Sequence, residues 1–276
     1  MNTLAALSVS IGFAFSLLAP QGTGTTARFE PTVGQPGKDV VWVPTSPALV
    51  EKMLDLAKVT PQDVVMDLGS GDGRNIIAAA KRGARGVGFE FNPDMVELSR
   101  RLAQEAGVAD KATFVQGDMY EADISKASVM ALFLLPTNLE KLKDKLFNLR
   151  PGSRIVMNTF TVEGWEPDVT ERLETNCESW CTAALYIVPA KVAGTWQFQS
   201  GQVTLEQKFQ MLSGTVTTRG TGTPISDGRM RGDEISFSAE GFSYAGKVDG
   251  DRIVGTATRT ENGAKQTWTA TRNRSN

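Results

Sequence analysis

Between Val64 and Asn158 the chain alternates short apolar runs with segments whose apolar residues recur at helical spacing, and this alternation limits the fold more than any other feature. Val64–Leu68 is apolar apart from Asp67, as befits a strand buried on both faces. A glycine-rich turn follows, then a helix from about Arg74 to Arg82. Gly86–Phe91 reads as a second strand, and Asn92-Pro93 opens a helix that runs to Glu105, before Gly107. Thr113–Val115 and Val129–Leu135 are the third and fourth strands. Leu139, Leu142, Leu146 and Leu149 form one stripe on a further helix, and Pro151-Gly152 turns the chain into a fifth strand, Arg154–Asn158. Two more strands are expected within 172–188. Ahead of this series, Val41–Val43 is extended, and Ser46-Pro47 caps a helix carrying Val50, Met53, Leu54 and Ala57. Such a series predicts an α/β domain: a Rossmann-like, seven-stranded sheet covered by helices on both faces.

After Pro189 the helical period stops. Short alternating segments take over: Thr195–Gln199, Val203–Met211, Gly214–Thr218, Arg229–Arg231, Glu234–Phe237, Phe242–Val248, Ile253–Thr258 and Gln266–Thr271. Asp227-Gly228, Asp249-Gly250 and Asn262-Gly263 read as turns between them. This predicts a small antiparallel all-β domain, a barrel or sandwich. Asp249-Gly250-Asp251 lacks the further carboxylates of a calcium loop and reads as a hairpin turn. The expected division is a hydrophobic segment and linker over 1–39, the α/β domain over 40–190 and the β domain over 191–276.

Composition restricts the chemistry. The 276 residues include no histidine, which removes Ser-His-Asp and Cys-His catalysis and imidazole proton transfer. Two cysteines without histidine exclude a structural zinc site. Cys177 and Cys181 lie four apart and are read as unpaired small hydrophobes, although the spacing permits a bond. A formal net charge of −2 gives no support for a nucleic-acid-binding surface. Residues 1–27 carry no charge, and residues 4–19 are largely apolar, spanning roughly 24 Å as a helix. With no basic residue ahead of them, and Arg28 and Lys38 behind, they read as an anchor that leaves the catalytic domain cytoplasmic; a weak signal peptide is the alternative. Residues 20–40, rich in Gly, Pro and Thr, read as a linker.

The chemistry concentrates at strand ends. Asp67-Leu68-Gly69-Ser70-Gly71-Asp72-Gly73 joins the first strand to its helix, where backbone N–H groups can approach a ligand closely. A dinucleotide turn places its third glycine at the sixth position, which here is Arg74. Glu90 ends the second strand, followed by Phe91, and is placed to accept from both hydroxyls of a ribose. Asp118 ends the third strand, placed to accept from an adenine amino group with Met119 against the ring. Arg74, Lys81 and Arg82 read as a solvated helix face or end. Trp165 and Trp180 read as core or sheet-edge packing.

This constellation resembles the class I S-adenosylmethionine (AdoMet)-dependent methyltransferases, whose acid-x-G-x-G-x-G motif is matched by Asp67, Gly69, Gly71 and Gly73. Val43-Pro44-Thr45, DLGSGDGR, GARGVGFEFNP and LFLLPTNL resemble more narrowly a lysine methyltransferase family. Its mitochondrial members act on the ADP/ATP carrier and the ATP synthase c-subunit. The resemblance covers roughly residues 40–168 and implies AdoMet as cofactor. It implies that Asp67, Gly69, Ser70, Gly71, Gly73, Glu90, Phe91, Asp118 and Met119 bind it. Leu134, Leu135, Pro136 and Thr137 are expected beside the transferred methyl, with Trp42, Pro44 and Thr45 as a lid; of these Leu134, Pro136 and Thr45 are the expected catalytic set. The implied acceptor is a protein lysine. A small-molecule methyltransferase, or a cofactor-binding protein with a β interaction module, is the alternative.

Overall fold

The computed structural model describes Met1 and residues 28–273. The apolar segment over 4–19 therefore lies outside the described residues. Ser46 caps the first helix, α1 (Pro47–Leu56), by accepting from Leu49 N at 3.3 Å, with Pro47 in its first turn. Then β1 (Val64–Leu68), α2 (Arg74–Lys81), β2 (Arg85–Glu90), α3 (Pro93–Glu105), β3 (Ala112–Gln116), β4 (Val129–Leu132), α4 (Pro136–Phe147) and β5 (Arg154–Asn158) alternate as expected. β6 (Val169–Arg172) and β7 (Thr182–Ile187) complete a seven-stranded sheet ordered β3-β2-β1-β4-β5-β7-β6. β1 to β5 pair in parallel, while β7 runs antiparallel to β5 and β6. The strand order reverses on either side of β1, and the carboxyl ends of β1 and β4 part there. An open α/β sheet binds ligands at such a switch point.

Fully buried side chains cover both faces of the sheet, Leu49, Leu54 and Ile76 among them on one side and Met130, Leu139 and Leu146 on the other. At the amino ends of the strands, buried Asp63 ties three segments together. It accepts from Thr60 N (2.8 Å) and Ser128 Oγ (2.7 Å) and pairs with Arg154. Burial alone would raise the Asp63 carboxyl; Ser128, Thr60 and Arg154 together hold it below its usual value.

The β domain is an up-and-down barrel of β8 (Gly194–Phe198), β9 (Gly201–Lys208), β10 (Met211–Thr218), β12 (Ser226–Arg231), β13 (Glu234–Ala239), β14 (Phe242–Asp249), β15 (Arg252–Arg259) and β16 (Lys265–Arg272). Pairing of β8 with both β16 and β9, and of β9 with β10, closes it. β11 (Thr221–Pro224), which the alternation did not reveal, forms a short hairpin on β10. Inward residues fill the interior, Trp196, Val203, Phe237, Ile253 and Trp268 among them. Asp249 opposite Arg252 makes the expected hairpin turn. Asp227-Gly228, expected as a turn, lies inside β12 at an irregularity where pairing slips between Ser226 and Arg229. Asp227 there takes φ 54°, so a turn signal has produced a bulge.

The barrel docks on the sheet through a knob. Phe209, in the β9–β10 turn, stacks on buried Trp165 with ring centroids 5.1 Å apart and planes 5° apart. Gln210 Nε2 donates to Glu166 O at 2.6 Å, and Arg229 pairs with Asp168 at 2.9 Å. Trp165 is thus the core residue expected. Cys177 and Cys181 form a disulfide, which corrects their reading as unpaired: the loop between β6 and β7 folds back until their Cα atoms are 5.7 Å apart.

Candidate active site

The turn after β1 runs Gly69-Ser70-Gly71-Asp72-Gly73, and all three glycines take positive φ: 68°, 56° and 78°. Two of them also have no room for a side chain. A Cβ on Gly71 would lie 2.7 Å from Trp42 Nε1, and one on Gly73 would lie 2.5 Å from the Phe114 ring. Left-handed backbone costs about 1–2 kcal/mol per residue in anything but glycine, so the loop conformation and the sequence pattern have one cause.

Asp67 ends inside this turn, 3% exposed, accepting from Asn75 Nδ2 at 3.0 Å. Burial, reinforced by the charges of Glu90 and Asp72, pushes its carboxyl well above the usual range. Glu90 accepts from Gly71 N (2.9 Å) and Asn92 N (3.0 Å), one bond to each oxygen. The remaining lone pairs are free for two hydroxyl donors. Asp118 accepts from Tyr120 N at 2.9 Å and is paired with Lys38 at 2.6 Å. Hydrogen bonding to Lys38 and Tyr120 holds the Asp118 carboxyl below its usual value and raises the Lys38 ammonium. Lys38 Nζ also sits 4.8 Å from the centroid of the Phe91 ring, which is half exposed.

Lys38 belongs to the segment read as a linker. From Gly34 to Trp42 the chain is instead a hairpin: Gly34 N bonds Trp42 O, Trp42 N bonds Gln35 O and Gly37 N bonds Val40 O, at 2.8–2.9 Å. This hairpin folds over the glycine loop and walls one side of a solvent-open cleft. Arg74 holds the hinge, which corrects its reading as a solvated residue. It pairs with Asp72 at 2.5 Å and donates to Thr45 O at 2.6 Å. Arg82 is likewise engaged, by Glu51 and Asp55 of α1; Lys81 is exposed as expected.

Of the expected residues, Thr45, Asp67, Gly69, Ser70, Gly71, Glu90, Phe91, Asp118 and Met119 line one cleft, whereas Gly73 does not line it and caps α2. Leu134 is buried behind Gly69, 3.6 Å from where a Cβ would stand. Pro136 and Leu135 do not line the cleft; they open α4, exposed. Trp180, expected in packing, is 44% exposed and lies on Phe133, ring centroids 6.0 Å apart. Lys38, Asn75 and Phe133 line the cleft without having been singled out. Asn75 had a signal, a polar residue in the first turn of α2, directly after the glycine loop. Lys38 had none.

A sheet of this order, with a left-handed glycine cradle, an acid ending β2 and another two residues beyond β3, defines a class I AdoMet-dependent methyltransferase. The ANTKMT methyltransferase domain family matches residues 67–169. A protein-lysine N-methyltransferase of Saccharolobus islandicus (strain REY15A) is 41% identical over 138 residues, 49% of this chain and 86% of that protein. The adenine nucleotide translocase lysine N-methyltransferase of Mus musculus is 36% identical over 130 residues; the alignment spans 46% of this chain and 56% of the mouse protein's length. An RNA methyltransferase from Salinibacter ruber, crystallised with S-adenosyl-L-homocysteine, superposes with a TM-score of 0.51 at 47% identity, over 54% of this chain and 96% of that one. The chain belongs to the protein-lysine N-methyltransferase family. Its cofactor is S-adenosylmethionine.

Proposed function

We propose that this chain methylates the ε-amino group of lysine in a protein, and that residues 4–19 hold it at a membrane with the catalytic domain on the cytoplasmic side, where AdoMet is made. The observation that carries the acceptor class is the kinship with the archaeal lysine methyltransferase across nearly its whole length. Electrostatics favour protein over RNA: Lys38 and Arg74, both lining the cleft, are neutralised by Asp118 and Asp72, and the formal net charge is −2.

The bound cofactor supplies a methyl group on a positively charged sulfur. The chain's residues bind, orient and exclude water. Glu90 offers acceptors to the ribose hydroxyls and Asp118 to the adenine amino group. Met119 and Phe91 supply apolar surface for the ring. Asp67, whose carboxyl burial pushes upward, would receive the cofactor's amino group in its ionised form. A lysine ammonium, reference pKa near 10.4, must lose a proton before its nitrogen can attack. Burial in the cleft lowers that pKa, and with no histidine in the chain the proton passes to water.

Tritium-methyl AdoMet incubated with the protein, lysate and membranes tests this. Label in a protein band that yields methyl-lysine on hydrolysis is the expected result. RNase-sensitive label, or label in a small molecule, would sink the lysine reading.

A further inference from the structure

Beyond the cofactor cradle, the carboxyl end of β5 carries features that the cofactor residues do not use. Asn158 is 1% exposed and donates through Nδ2 to Thr45 Oγ1 at 3.1 Å, yet its Oδ1 has no partner. Thr159 follows with φ 58°, and its Oγ1 is likewise buried and unpartnered. A buried polar atom without a partner is unfavourable. A β-branched residue in left-handed backbone is unfavourable too, and such strain gathers at binding sites.

Thr159 runs directly into Phe160, part of an aromatic wall. Phe133, which lines the cleft together with Thr45, stacks on Phe160 with centroids 6.1 Å and planes 17° apart. Trp180 also packs on Phe133, with centroids 6.0 Å and planes 58° apart. Trp180 itself takes φ 52°, in the loop that the Cys177–Cys181 disulfide closes.

We propose that Asn158 and Thr159, with Phe133, Phe160 and Trp180, form the acceptor subsite, and that it takes the head group of a primary alkylamine. The inference rests on the lysine reading and names the residues that would receive the side chain. An amine brings N–H donors to two oxygens that lack them, while its alkyl stem lies along the rings. With one N–H held by Asn158 Oδ1, the nitrogen lone pair is left for the methyl carbon. The N–C bond forms as the C–S bond breaks, the electron pair goes to sulfur, and the product ammonium later loses a proton to water. The rings suit the cationic product through cation–π attraction.

The test uses the full chain saturated with S-adenosylhomocysteine and two probes followed by ligand-observed NMR: n-butylamine, which has N–H groups, and butyltrimethylammonium, which has none. Asn158→Ala should weaken n-butylamine at least tenfold and leave butyltrimethylammonium within twofold. Trp180→Ala should weaken butyltrimethylammonium at least fivefold. S-adenosylhomocysteine affinity should be unchanged in both variants. Equal n-butylamine affinity in the wild type and Asn158→Ala, or no n-butylamine binding at all, overturns the proposal. Should Asn158→Ala fail to fold, Trp180→Ala decides alone, and unchanged butyltrimethylammonium binding overturns it. Methyl-lysine formed with wild-type KM by both variants also overturns this subsite but leaves the lysine reading standing. Label on another acceptor removes that reading instead.

Discussion

The sheet and the barrel each enclose an apolar core, but they differ in what they leave unpaired. Around the ends of the sheet strands, Ser70 Oγ, Asn75 Oδ1, Asn158 Oδ1 and Thr159 Oγ1 are buried without partners. In the barrel, among the described residues, only Trp268 Nε1 is. Carboxylates follow the same division: Asp67 is fully enclosed and displaced upward, whereas among the described residues no barrel carboxylate is buried, and the enclosed titratable group there is Tyr244, raised by burial and stacked on Phe237 at 4.7 Å. Each unpaired buried polar group calls for an explanation, and these four of the sheet gather at the end that carries the glycine cradle.

The largest expected effect is at Asp67. Asp67→Ala should abolish methyl transfer and weaken S-adenosylhomocysteine at least a hundredfold, with the circular dichroism spectrum retained; wild-type affinity would remove the site assignment. Its raised pKa adds a sign. Between the ordinary carboxylate range and the raised value the empty site holds a proton, so binding a cationic amino group must release it. Calorimetry in buffers of differing ionisation enthalpy should show that release, shrinking as pH rises through the raised pKa, and absent in the alanine variant. Equal heats across buffers would contradict the buried, protonated state.

Next come two tests of what joins and supports the bodies. Phe209→Ala should cost about 3–5 kcal/mol, because it empties a stacked position against Trp165, and it should lower the melting temperature of sheet and barrel together. Separate transitions in calorimetry would show that docking is loose. Asp63→Ala leaves Arg154 without its buried counter-charge and should cost about 3 kcal/mol near neutral pH. Because the folded Asp63 pKa is depressed, its contribution is present above the ordinary carboxylate value and disappears as pH falls through the folded one. Wild type and variant should therefore converge in acid melts; a gap that persists at low pH would assign the loss to packing.

The smallest effects should sharpen the contrast. Trp268→Phe deletes an N–H that makes no bond, and should change stability by less than about 1 kcal/mol and methyl transfer not at all. A large loss of transfer would give the barrel interior a function. Lys38→Ala removes a partly exposed ion pair and should shift S-adenosylhomocysteine affinity less than threefold.

The sheet was legible from residues 64–158 because continuous apolar strands, helical stripes and the glycine loop agree with one another. The cradle acids were legible because each stands at or just beyond a strand end. The hairpin over 34–42 was not. Pro36 and Gly37 signal a turn, but the backbone bonds that fold it onto the cleft depend on Trp42 finding Gly71. Nor was the disulfide, since spacing alone does not distinguish Cys177 and Cys181 bonded from free. Asn158 offered only a polar pair ending an apolar strand ahead of Phe160, a pattern that also fits an ordinary strand exit. Its meaning came from the missing partner.

The Phe209 knob has a mechanical consequence. Trp165 lies 5.2 Å from the Tyr186 ring, and Tyr186 Oη accepts from Val162 N at 3.3 Å, in the stretch that leaves Phe160. Any partner that tilts the barrel therefore bears on three packed aromatic rings, Phe209, Trp165 and Tyr186, and through the Tyr186 hydroxyl on the chain where it leaves β5 at Val162.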